Sequence, residues 1–429
     1  MMDWPIGTAI LFAMLFVGVP IGFALTLVGF AGVASIIGIN PALAMIGQVY
    51  SDSGRSYTLS VVPLFLLMGN MIVQSKIADE IYDAANAWLR HRKGGLAMAT
   101  IVACGGFGSV CGSSLATAAT MGKIALPAMR RHGYSDRLAT GSIAAGGTLG
   151  IIIPPSVILV IYGILTQQDI GKLFLAGIVP GLMGIVGYML AVRLSLFLHP
   201  EPLAPLPRLS LIARLHATRG VAPALALFAF VLGGIYLGIF TATEAAGMGA
   251  GASILLTALR GRLTWRATLE TLFDTGKTTA VMFFVLFGAL YFLNYVNLSG
   301  LSTDIRGWVL GLDLPPVGVI LMIMLMLLVL GSLLESLSMV MLITPILFPI
   351  VTALGFDPIW FGVFLVVATE LSYITPPMGM NVFVLRVVAR DVPIGEIFRG
   401  VVPFVLLDVL RLLLLIGFPI LVLLIPNAM

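Results

Sequence analysis

The chain has 429 residues, of which 59% are hydrophobic and only 10% are charged. Soluble domains carry about 25% charged residues, so the composition excludes an ordinary water-soluble protein and indicates one embedded in a lipid bilayer. A spanning helix needs about 20 apolar residues, and the length therefore allows about ten to twelve crossings. The net charge of +4 does not predict nucleic-acid binding, because Lys and Arg in a membrane protein mainly set its orientation.

Apolar runs along the chain predict an all-α, polytopic membrane protein with about ten spans. In chain order they lie near residues 5–19, 21–39, 59–74, 139–165, 173–198, 221–240, 243–260, 278–297, 359–387 and 401–425. The 48 Gly and 24 Pro residues suggest that some of these helices are interrupted. Two further apolar stretches, 96–128 and 317–351, do not fit as ordinary spans.

Basic residues assign the sides of the membrane. Nineteen of the 23 Lys and Arg residues fall into five groups, at 76–93, 123–137, 193–219, 260–277 and 386–399. The positive-inside rule places these groups in the cytoplasm and the N-terminus outside. Both ends of 96–128 are then cytoplasmic, and both ends of 317–351 are outside. Each arm of about 15 residues reaches only about 22 Å, so both stretches are predicted to be re-entrant hairpins, with tips at 111–114 and 334–338.

The two hairpins belong to halves that repeat each other. An offset of 222 residues maps Pro127 onto Pro349 and the proline pair 154–155 onto 376–377. Before each hairpin, apolar residues recur on one helical face, and these faces predict amphipathic helices on opposite sides of the membrane. The faces are Ile77, Ile81, Ala84, Ala85 and Trp88 in the first half, and Leu301, Ile305, Trp308, Val309 and Leu312 in the second. An inverted repeat of this kind is typical of secondary transporters.

A proline pair interrupts the span that follows each hairpin, in the motifs TLGIIIPP at 148–155 and ELSYITPP at 370–377. Proline lacks an N–H and clashes with the preceding turn, so about one helical turn should unwind at each pair and free its carbonyls. The C-terminal ends of half-helices favour cations, and the N-terminal ends favour anions. Each hairpin tip, packed against the break of its own half, is therefore predicted to form a small oxygen cage for a hard cation such as sodium.

The candidate site residues are hydroxyl, glycine and carboxylate groups at these tips and breaks, with neighbouring residues between them. Sodium site one would use Gly112, Ser113, Ser114, Thr148 and Gly150. Sodium site two would use Glu335, Ser336, Ser338, Ser372 and Thr375. A substrate pocket between the sites would be lined by Ser114, Thr117, Pro155, Ser156, Ser338, Pro377, Met378 and Asn381. Facing helix N-termini would hold a carboxylate there without a charged side chain.

Structural explanations compete with several of these assignments. Ser and Thr hydroxyls in membrane helices commonly bond to the preceding turn instead of a ligand. Glu335 and Glu370 are functional candidates because carboxylates inside a membrane are costly, but either can be a polar lock within the second repeat. Asp408 and Arg411 are expected to neutralise each other or to contact another subunit. The two cysteines and four histidines show no spacing that predicts a metal or redox site.

Four motifs carry a family resemblance that covers essentially the whole chain. They are PLFLLMG at 63–69, FGSVCGSSLATAA at 107–119, GTLGIIIPPS at 147–156 and ELSYITPPMG at 370–379. On these motifs the chain resembles the large membrane subunit of tripartite ATP-independent periplasmic (TRAP) transporters, of the dicarboxylate and sialic acid type. The resemblance implies a fold of the ion-transporter superfamily and sodium-driven uptake through an elevator motion. It also implies two partners, a periplasmic substrate-binding protein and a small membrane subunit. The small subunit is expected as a separate chain because only four residues precede the first apolar run.

The same resemblance implies a static scaffold and a mobile transport domain. Scaffold spans would occupy 1–75, 173–297 and 391–429, and amphipathic arm helices would occupy 76–93 and 298–314. Residues 94–172 and 315–390 would form the two repeats of the transport domain, each with a hairpin and a broken helix.

These features predict a secondary transporter of the bacterial inner membrane, not an enzyme, that takes up a small carboxylate with sodium. One alternative is a self-sufficient anion or Na⁺/H⁺ antiporter of the same superfamily. Another is an intramembrane hydrolase, but such an enzyme needs a base beside its nucleophile, and all four His residues fall in basic loops. An ATP-driven pump is disfavoured because the sequence has no P-loop motif.

Overall fold

A computed structural model describes residues 3–311 and 314–428, which form twenty α-helices and no strands. The helices are α1 (Trp4–Phe16), α2 (Ile21–Ile37), α3 (Ile39–Gly54), α4 (Val61–Gln74), α5 (Ile77–Leu89), α6 (Gly95–Cys111), α7 (Ser114–Arg131), α8 (Asp136–Thr148), α9 (Val157–Thr166), α10 (Ile170–Leu198), α11 (Leu211–Tyr236), α12 (Ala242–Leu259), α13 (Trp265–Leu298), α14 (Leu301–Gly311), α15 (Pro316–Gly331), α16 (Ser336–Ala353), α17 (Pro358–Ser372), α18 (Met380–Val388), α19 (Ile394–Gly417) and α20 (Ile420–Leu423). Seven of the described helices are long and apolar enough to cross a membrane. The chain is an all-α, polytopic membrane protein, as the sequence predicts.

Several helices depart from the expected spans, and α3 and α13 do so most clearly. Residues 39–54 form α3, which the apolar pattern did not predict; Gly38 makes the turn into it with a φ of 90°, a conformation that glycine adopts without strain. α13 has 34 residues and begins at Trp265, well before the predicted span of 278–297. Its polar first turns include an exposed ion pair between Arg266 and Glu270, at the i,i+4 spacing that suits a helix.

Both proline pairs interrupt their helices, as predicted. α8 ends at Thr148 and α9 begins at Val157, while α17 ends at Ser372 and α18 begins at Met380. The peptide bonds within both proline pairs are cis. The repeat therefore holds at the level of the backbone, although few side chains are shared between the halves.

The two hairpins are formed by α6 with α7 and by α15 with α16. Their arms have 16 to 18 residues, rather than the expected 15 or so. The second arm of each hairpin begins directly at the tip, because the residue before it, Ser113 or Glu335, accepts hydrogen bonds from the first N–H groups of the helix.

The helix before the first hairpin buries most of its predicted apolar face, and the helix before the second buries less of the part that the structure describes. In α5, Ile77, Ile81, Ala84 and Ala85 are buried, but Trp88 is 42% exposed. Its indole N–H donates to the Thr218 hydroxyl at 3.0 Å, so the ring lies across the edge of α11 instead of in the core. In α14, Leu301 is buried and Ile305 is half-buried, but Trp308 is exposed. Leu312 and the side chain of Val309 lie outside the described residues.

Helix packing forms two groups of close contacts, and these groups also contact each other, through α4 with α6 and through α13 with α16. In one, α2 packs against α13 and α4 packs against α12. In the other, the hairpins pack around the broken helices, and α10 and α19 both pack against α8 and α17. The sequence analysis assigned residues 173–297 and 391–429, which include α10 and α19, to the scaffold. In the fold these two helices contact the broken helices α8 and α17, and their assignment to the scaffold stays a prediction.

Glycines explain why α10 packs there. An added Cβ on Gly177 would lie 2.6 Å from the Ile152 carbonyl oxygen, and one on Gly184 would lie 2.2 Å from the Arg411 Nη1. These glycines allow α10 to approach both the first break and α19. Which of the two packing groups moves stays a prediction.

Candidate functional site

The first hairpin tip is built from a glycine turn and a serine cap. Gly112 has a φ of 66°, in the left-handed region that favours glycine, and its N–H donates to the Gly108 carbonyl at 2.7 Å. The Ser113 Oγ accepts a hydrogen bond from the Ala116 N–H at 3.3 Å and so caps α7. Because this cap is a neutral hydroxyl, no carboxylate cancels the partial positive charge of the α7 N-terminus at this tip.

The first tip lies against the break of its own half. An added Cβ on Gly108 would lie 2.5 Å from the Gly150 Cα, so the two backbones touch. An added Cβ on Gly112 would lie 3.9 Å from the Pro155 carbonyl oxygen. The end of α6 therefore adjoins the unwound segment that follows Thr148, as the repeat predicts.

The second hairpin tip has a carboxylate where the first has a hydroxyl. The Glu335 Oε2 accepts hydrogen bonds from the N–H groups of Leu337 at 3.1 Å and Ser338 at 3.2 Å. The Ser336 hydroxyl donates to the Glu335 Oε1 at 3.1 Å. The half-buried carboxylate therefore opposes the partial positive charge of the α16 N-terminus.

The second tip also lies against the break of its own half. An added Cβ on Gly331 would lie 2.4 Å from the Ser372 Oγ. The Tyr373 hydroxyl, in the same break, accepts a hydrogen bond from the Ser336 N–H at 2.6 Å and donates to the Glu335 Oε1 at 3.4 Å. The structure thus brings together Glu335, Ser336 and Ser372, which were predicted for sodium site two.

Tyr373 was missed by the sequence analysis, as were Gly108 and Gly331. A signal for Tyr373 was its phenol hydroxyl between Ser372 and Thr375, three residues after Glu370. The two glycines occupy corresponding places near the ends of the first hairpin arms, an offset of 223 residues apart. Their importance depends on the close approach of the break, which the sequence does not show.

A hydrogen-bonded bridge joins the first tip to the second broken helix. The Ser114 hydroxyl donates to the Asn381 Oδ1 at 2.8 Å, and the Asn381 Nδ2 donates to the Ala144 carbonyl at 2.8 Å. Asn381 is fully buried and Ser114 is 3% exposed. Two residues predicted to bind substrate are therefore in direct contact, although they come from different halves of the chain.

Several candidate hydroxyls donate to their own helices, as the competing structural explanation expects. Thr117 donates to the Ser113 carbonyl at 2.7 Å, and Thr148 to the Ala145 carbonyl at 2.8 Å. Ser372 donates to the Thr369 carbonyl at 2.6 Å, and Thr375 to the Leu371 carbonyl at 2.7 Å. Such a bond uses the single hydrogen of a hydroxyl and leaves oxygen lone pairs that can ligate a cation. These contacts are compatible with both explanations.

The remaining residues of the predicted substrate pocket differ in accessibility. Pro155 is buried, and Ser156 is 1% exposed. The Ser156 hydroxyl donates to the Ile151 carbonyl across the break and accepts a hydrogen bond from the Leu159 N–H at 3.3 Å. Pro377 and Met378 are exposed at the second break. The Ser156 hydroxyl therefore links the two sides of the break by hydrogen bonds, and its contact with substrate stays a prediction.

A cavity of about 460 Å³ separates the second tip from α2 and α13. Its polar lining consists of Glu335 and Ser338, and the rest is apolar, including Phe23 and Phe284. Ligand pockets commonly have volumes of about 300–1,000 Å³, with a few polar groups that fix orientation. The cavity lies between the second hairpin and the α2–α13 pair, and of the eight residues predicted to line the substrate pocket it includes Ser338 alone.

The intramembrane charges outside the tips form ion pairs. The Arg411 Nη2 lies 2.9 Å from the Asp408 Oδ1, which confirms the expected neutralisation, and 2.5 Å from the Glu370 Oε2. Among the described residues, no group of three or more His, Cys, Asp or Glu side chains is arranged to hold a metal ion. The oxygen donors at the two tips are hydroxyls, carbonyls and one carboxylate, and such hard donors suit a hard cation.

Known proteins share both the sequence and the fold. Residues 8–421 match the family described as "Tripartite ATP-independent periplasmic transporter, DctM component". The chain is 35% identical over 401 residues to the C4-dicarboxylate TRAP transporter large permease protein DctM of Pseudomonas aeruginosa, covering 93% of each chain. It is 34% identical over 419 residues to the sialic acid TRAP transporter large permease protein SiaM of Vibrio cholerae, covering 96% of each chain.

A solved structure, the YdaH transporter of Alcanivorax borkumensis, has a similar fold. Its TM-score is 0.61 at 17% identity, covering 89% of this chain and 88% of that one. At such identity the likeness concerns the fold alone. The two relatives described above are named as transporter permeases, so the chain is a secondary transporter component and not an enzyme. The chain therefore belongs to the DctM family, the large permease component of TRAP transporters.

Proposed function

We propose that the chain takes up a small organic acid together with sodium ions, after a periplasmic binding protein has delivered the acid. The observation that carries this proposal is the packing of each hairpin tip against the break of its own half. In both halves this packing gathers hydroxyl oxygens at the buried ends of half-helices. Broken helices with this arrangement hold coupling ions in secondary transporters.

The substrate class follows from the relatives and from the charges at the tips. The two relatives are named for C4-dicarboxylates and for sialic acid, both of which contain a carboxylate. The neutral Ser113 cap leaves the α7 N-terminus able to attract a carboxylate, whereas Glu335 faces the cavity with a like charge. A sodium ion at site two would compensate Glu335, so sodium is expected to bind before the acid.

The transport step is an elevator motion in this proposal. The cavity beside Glu335 lies between the α2–α13 pair and the hairpins. A movement of the hairpin group against α2 and α13 would carry a ligand held at the tips across the membrane. Release on the inner side would follow when sodium leaves and the charge of Glu335 is again uncompensated.

The partners and the orientation follow the family. A small membrane subunit would pack against the chain and help to hold the α2–α13 group still. A periplasmic binding protein would dock on the outer face of the inner membrane, the side on which the basic groups place the N-terminus. After replacement of Cys104 and Cys111, a cysteine near Arg131 should be labelled only from the cytoplasm and one near Gly355 only from outside. Labelling of both from one side would contradict the inverted repeat.

Uptake into proteoliposomes tests the proposed function. Liposomes containing the chain and its small subunit should accumulate labelled organic acid only with the purified binding protein and an inward sodium gradient. Replacement of sodium by potassium should abolish accumulation, because the proposed oxygen cages at the tips would be too small for the larger ion. Undiminished uptake in potassium would refute sodium coupling. Rapid, saturable uptake of free acid without the binding protein would instead support the self-sufficient antiporter.

A further inference from the structure

A network of buried polar side chains joins the two broken helices away from the hairpin tips. It consists of Thr148 on α8, Tyr188 on α10, Glu370 on α17, and Asp408 and Arg411 on α19. None of these residues is more than 4% exposed. The network includes two carboxyl groups and one guanidinium at membrane depth, where ionisable side chains are rare and usually functional.

The contacts run without interruption from one break to the other. The Thr148 Oγ1 lies 3.1 Å from the Tyr188 hydroxyl, which donates to the Asp408 Oδ2. The Asp408 Oδ1 lies 2.9 Å from the Arg411 Nη2, which donates to the Glu370 Oε2 at 2.5 Å. Thr148 is the last residue of α8, and Glu370 lies in the last turn of α17.

Helix α10 leaves space for the Arg411 side chain of this network. Gly184 leaves space for the Arg411 guanidinium, since an added Cβ would lie 2.2 Å from the Arg411 Nη1. That Nη1 also lies 3.5 Å from the Pro180 carbonyl of α10. Replacing a buried ion cluster by well-packed apolar residues is often neutral or stabilising. Stability alone therefore gives little reason for such a cluster.

We propose that Tyr188, Asp408 and Arg411 are positioning residues that couple the two candidate cation sites. The inference rests on the proposed sodium coupling, in which Thr148 belongs to site one and Ser372 to site two. Tyr188 donates its hydrogen to Asp408, so it presents a lone pair to Thr148 and competes for the Thr148 hydrogen with the Ala145 carbonyl. This competition sets the direction in which the lone pairs of Thr148 point.

At the other end of the network, Arg411 holds the turn of α17 that ends at Ser372. The Glu370 side chain is fully buried, and its Oε2 is tied to α19 through Arg411. A shift of Thr148 on cation binding would therefore be transmitted through Tyr188, Asp408 and Arg411 to the second break. Sodium binding at the two sites becomes cooperative, because each ion stabilises the arrangement that the other requires.

The test uses Tyr188→Phe, which removes one hydroxyl and keeps the ring. Tyr291→Phe is the matched control, because Tyr291 is also fully buried and donates to a backbone carbonyl, that of Ala42 at 3.0 Å, outside the network. The complete transporter, with its small subunit and loaded binding protein, is assayed in proteoliposomes. Uptake is measured against sodium at saturating binding protein, and against binding protein at saturating sodium. Heat unfolding of the purified complex across sodium concentrations supplies a binding readout that does not depend on transport.

If the network couples the two cation sites, Tyr188→Phe should change the sodium dependence of uptake and not its dependence on the binding protein. Tyr188→Phe should raise the half-saturating sodium concentration about fivefold, a typical size for coupling between sites, and should lower the Hill coefficient for sodium. The half-saturating concentration of binding protein should be unchanged, and Tyr291→Phe should alter neither quantity. Asp408→Asn, which leaves one carboxylate for one guanidinium, should shift sodium dependence in the same direction as Tyr188→Phe.

Two results would overturn the inference, and they are distinguishable. If the wild-type transporter shows sodium-dependent uptake but Tyr188→Phe matches Tyr291→Phe in half-saturation and Hill coefficient, the coupling role is refuted and the proposed function stands. If wild-type uptake and heat stability are both indifferent to sodium, the proposed function fails and the coupling fails with it.

Discussion

The two hairpin tips share a backbone plan but differ in charge. In both, the first arm touches the break of its own half through a glycine, Gly108 or Gly331. The second arm is capped by Ser113 in one half and by Glu335 in the other. The repeat therefore preserves the close approach of tip and break. The capping group differs between the halves, a hydroxyl in one and a carboxylate in the other. The neutral cap leaves the partial positive charge of the α7 N-terminus in place, whereas the Glu335 carboxylate opposes that of α16.

The largest expected effect comes from replacing the glycines at the two tip–break contacts with alanine. Gly108→Ala would place a Cβ 2.5 Å from the Gly150 Cα, a backbone atom, whereas Gly331→Ala would place it 2.4 Å from the Ser372 hydroxyl, part of a side chain. Rotation of the Ser372 side chain would move its Oγ but not its Cβ, which would lie 2.7 Å from the added atom, whereas Gly108→Ala meets two backbone atoms of Gly150. Overpacking costs about 1–3 kcal/mol, so we expect Gly108→Ala near the upper end of that range and Gly331→Ala somewhat below it.

Heat unfolding of the two purified variants measures this difference. Gly187→Ala is a control on α10, because an added Cβ there meets no atom within 4 Å. Equal destabilisation by Gly108→Ala and Gly331→Ala would show that the two contacts are equally rigid and would contradict the expected difference between the tips.

The next effect separates the two caps by function. Glu335→Gln removes a charge proposed to ligate sodium, and Ser113→Ala removes a neutral cap. Interactions with a charged group are worth about 1.5–3 kcal/mol, so Glu335→Gln should raise the half-saturating sodium concentration about tenfold or more. Ser113→Ala should cost about 1 kcal/mol of helix stability and change sodium dependence less. Sodium titrations of uptake measure both, and equal shifts in sodium dependence would argue against a special role for the carboxylate.

A smaller effect is expected at the bridge between the halves. Ser114→Ala removes the donor to the Asn381 Oδ1 and leaves that buried atom without this partner. An unsatisfied buried polar group costs about 1–3 kcal/mol, and the shift should be near the lower end because Asn381 retains its bond to Ala144. Ser336→Ala, the corresponding change in the second half, should leave the bridge intact. Heat unfolding that ranks Ser336→Ala as the more damaging change would contradict this asymmetry.

The smallest effect concerns an exposed ion-pair group at the far end of the first hairpin. Arg130 lies 2.6 Å from Asp136 and 2.7 Å from Asp391, which follows the second broken helix. The hydrogen bond from Arg130 holds the pKa of the Asp391 carboxyl below its ordinary value. The resulting stabilisation is present above the unfolded pKa of about 4 and is lost as the pH falls through the lowered folded pKa.

Arg130→Gln should therefore lower the midpoint of heat unfolding slightly at pH 7 and less at acidic pH, because exposed ion pairs contribute little. The measurement compares wild type and variant at both pH values. If the difference in unfolding midpoint between wild type and variant stays constant as the pH falls, the Arg130–Asp391 contact does not cause that difference.

The location in a membrane, the two hairpins and the two helix breaks could be predicted from the sequence alone. Each of these depends on local physics: a lack of charge, the length of an apolar run, and proline pairs that no helix can continue through. The repeat was also readable, because Gly and Pro mark fixed places in the backbone. The helices that α10 and α19 contact could not be predicted, since an apolar helix can pack against many partners.

Contacts between polar groups on different helices could be seen only in the tertiary structure. Ser114 and Asn381 are separated by 267 residues, and Tyr188 and Asp408 by 220, yet both pairs are in hydrogen-bond contact. Sequence could predict that Asp408 neutralises Arg411, because three residues span one turn of a helix. It could not place Glu370 beside the same guanidinium, because that contact depends on how α17 and α19 pack. Local spacing fixes contacts within a helix, and only the packing of helices fixes contacts between them.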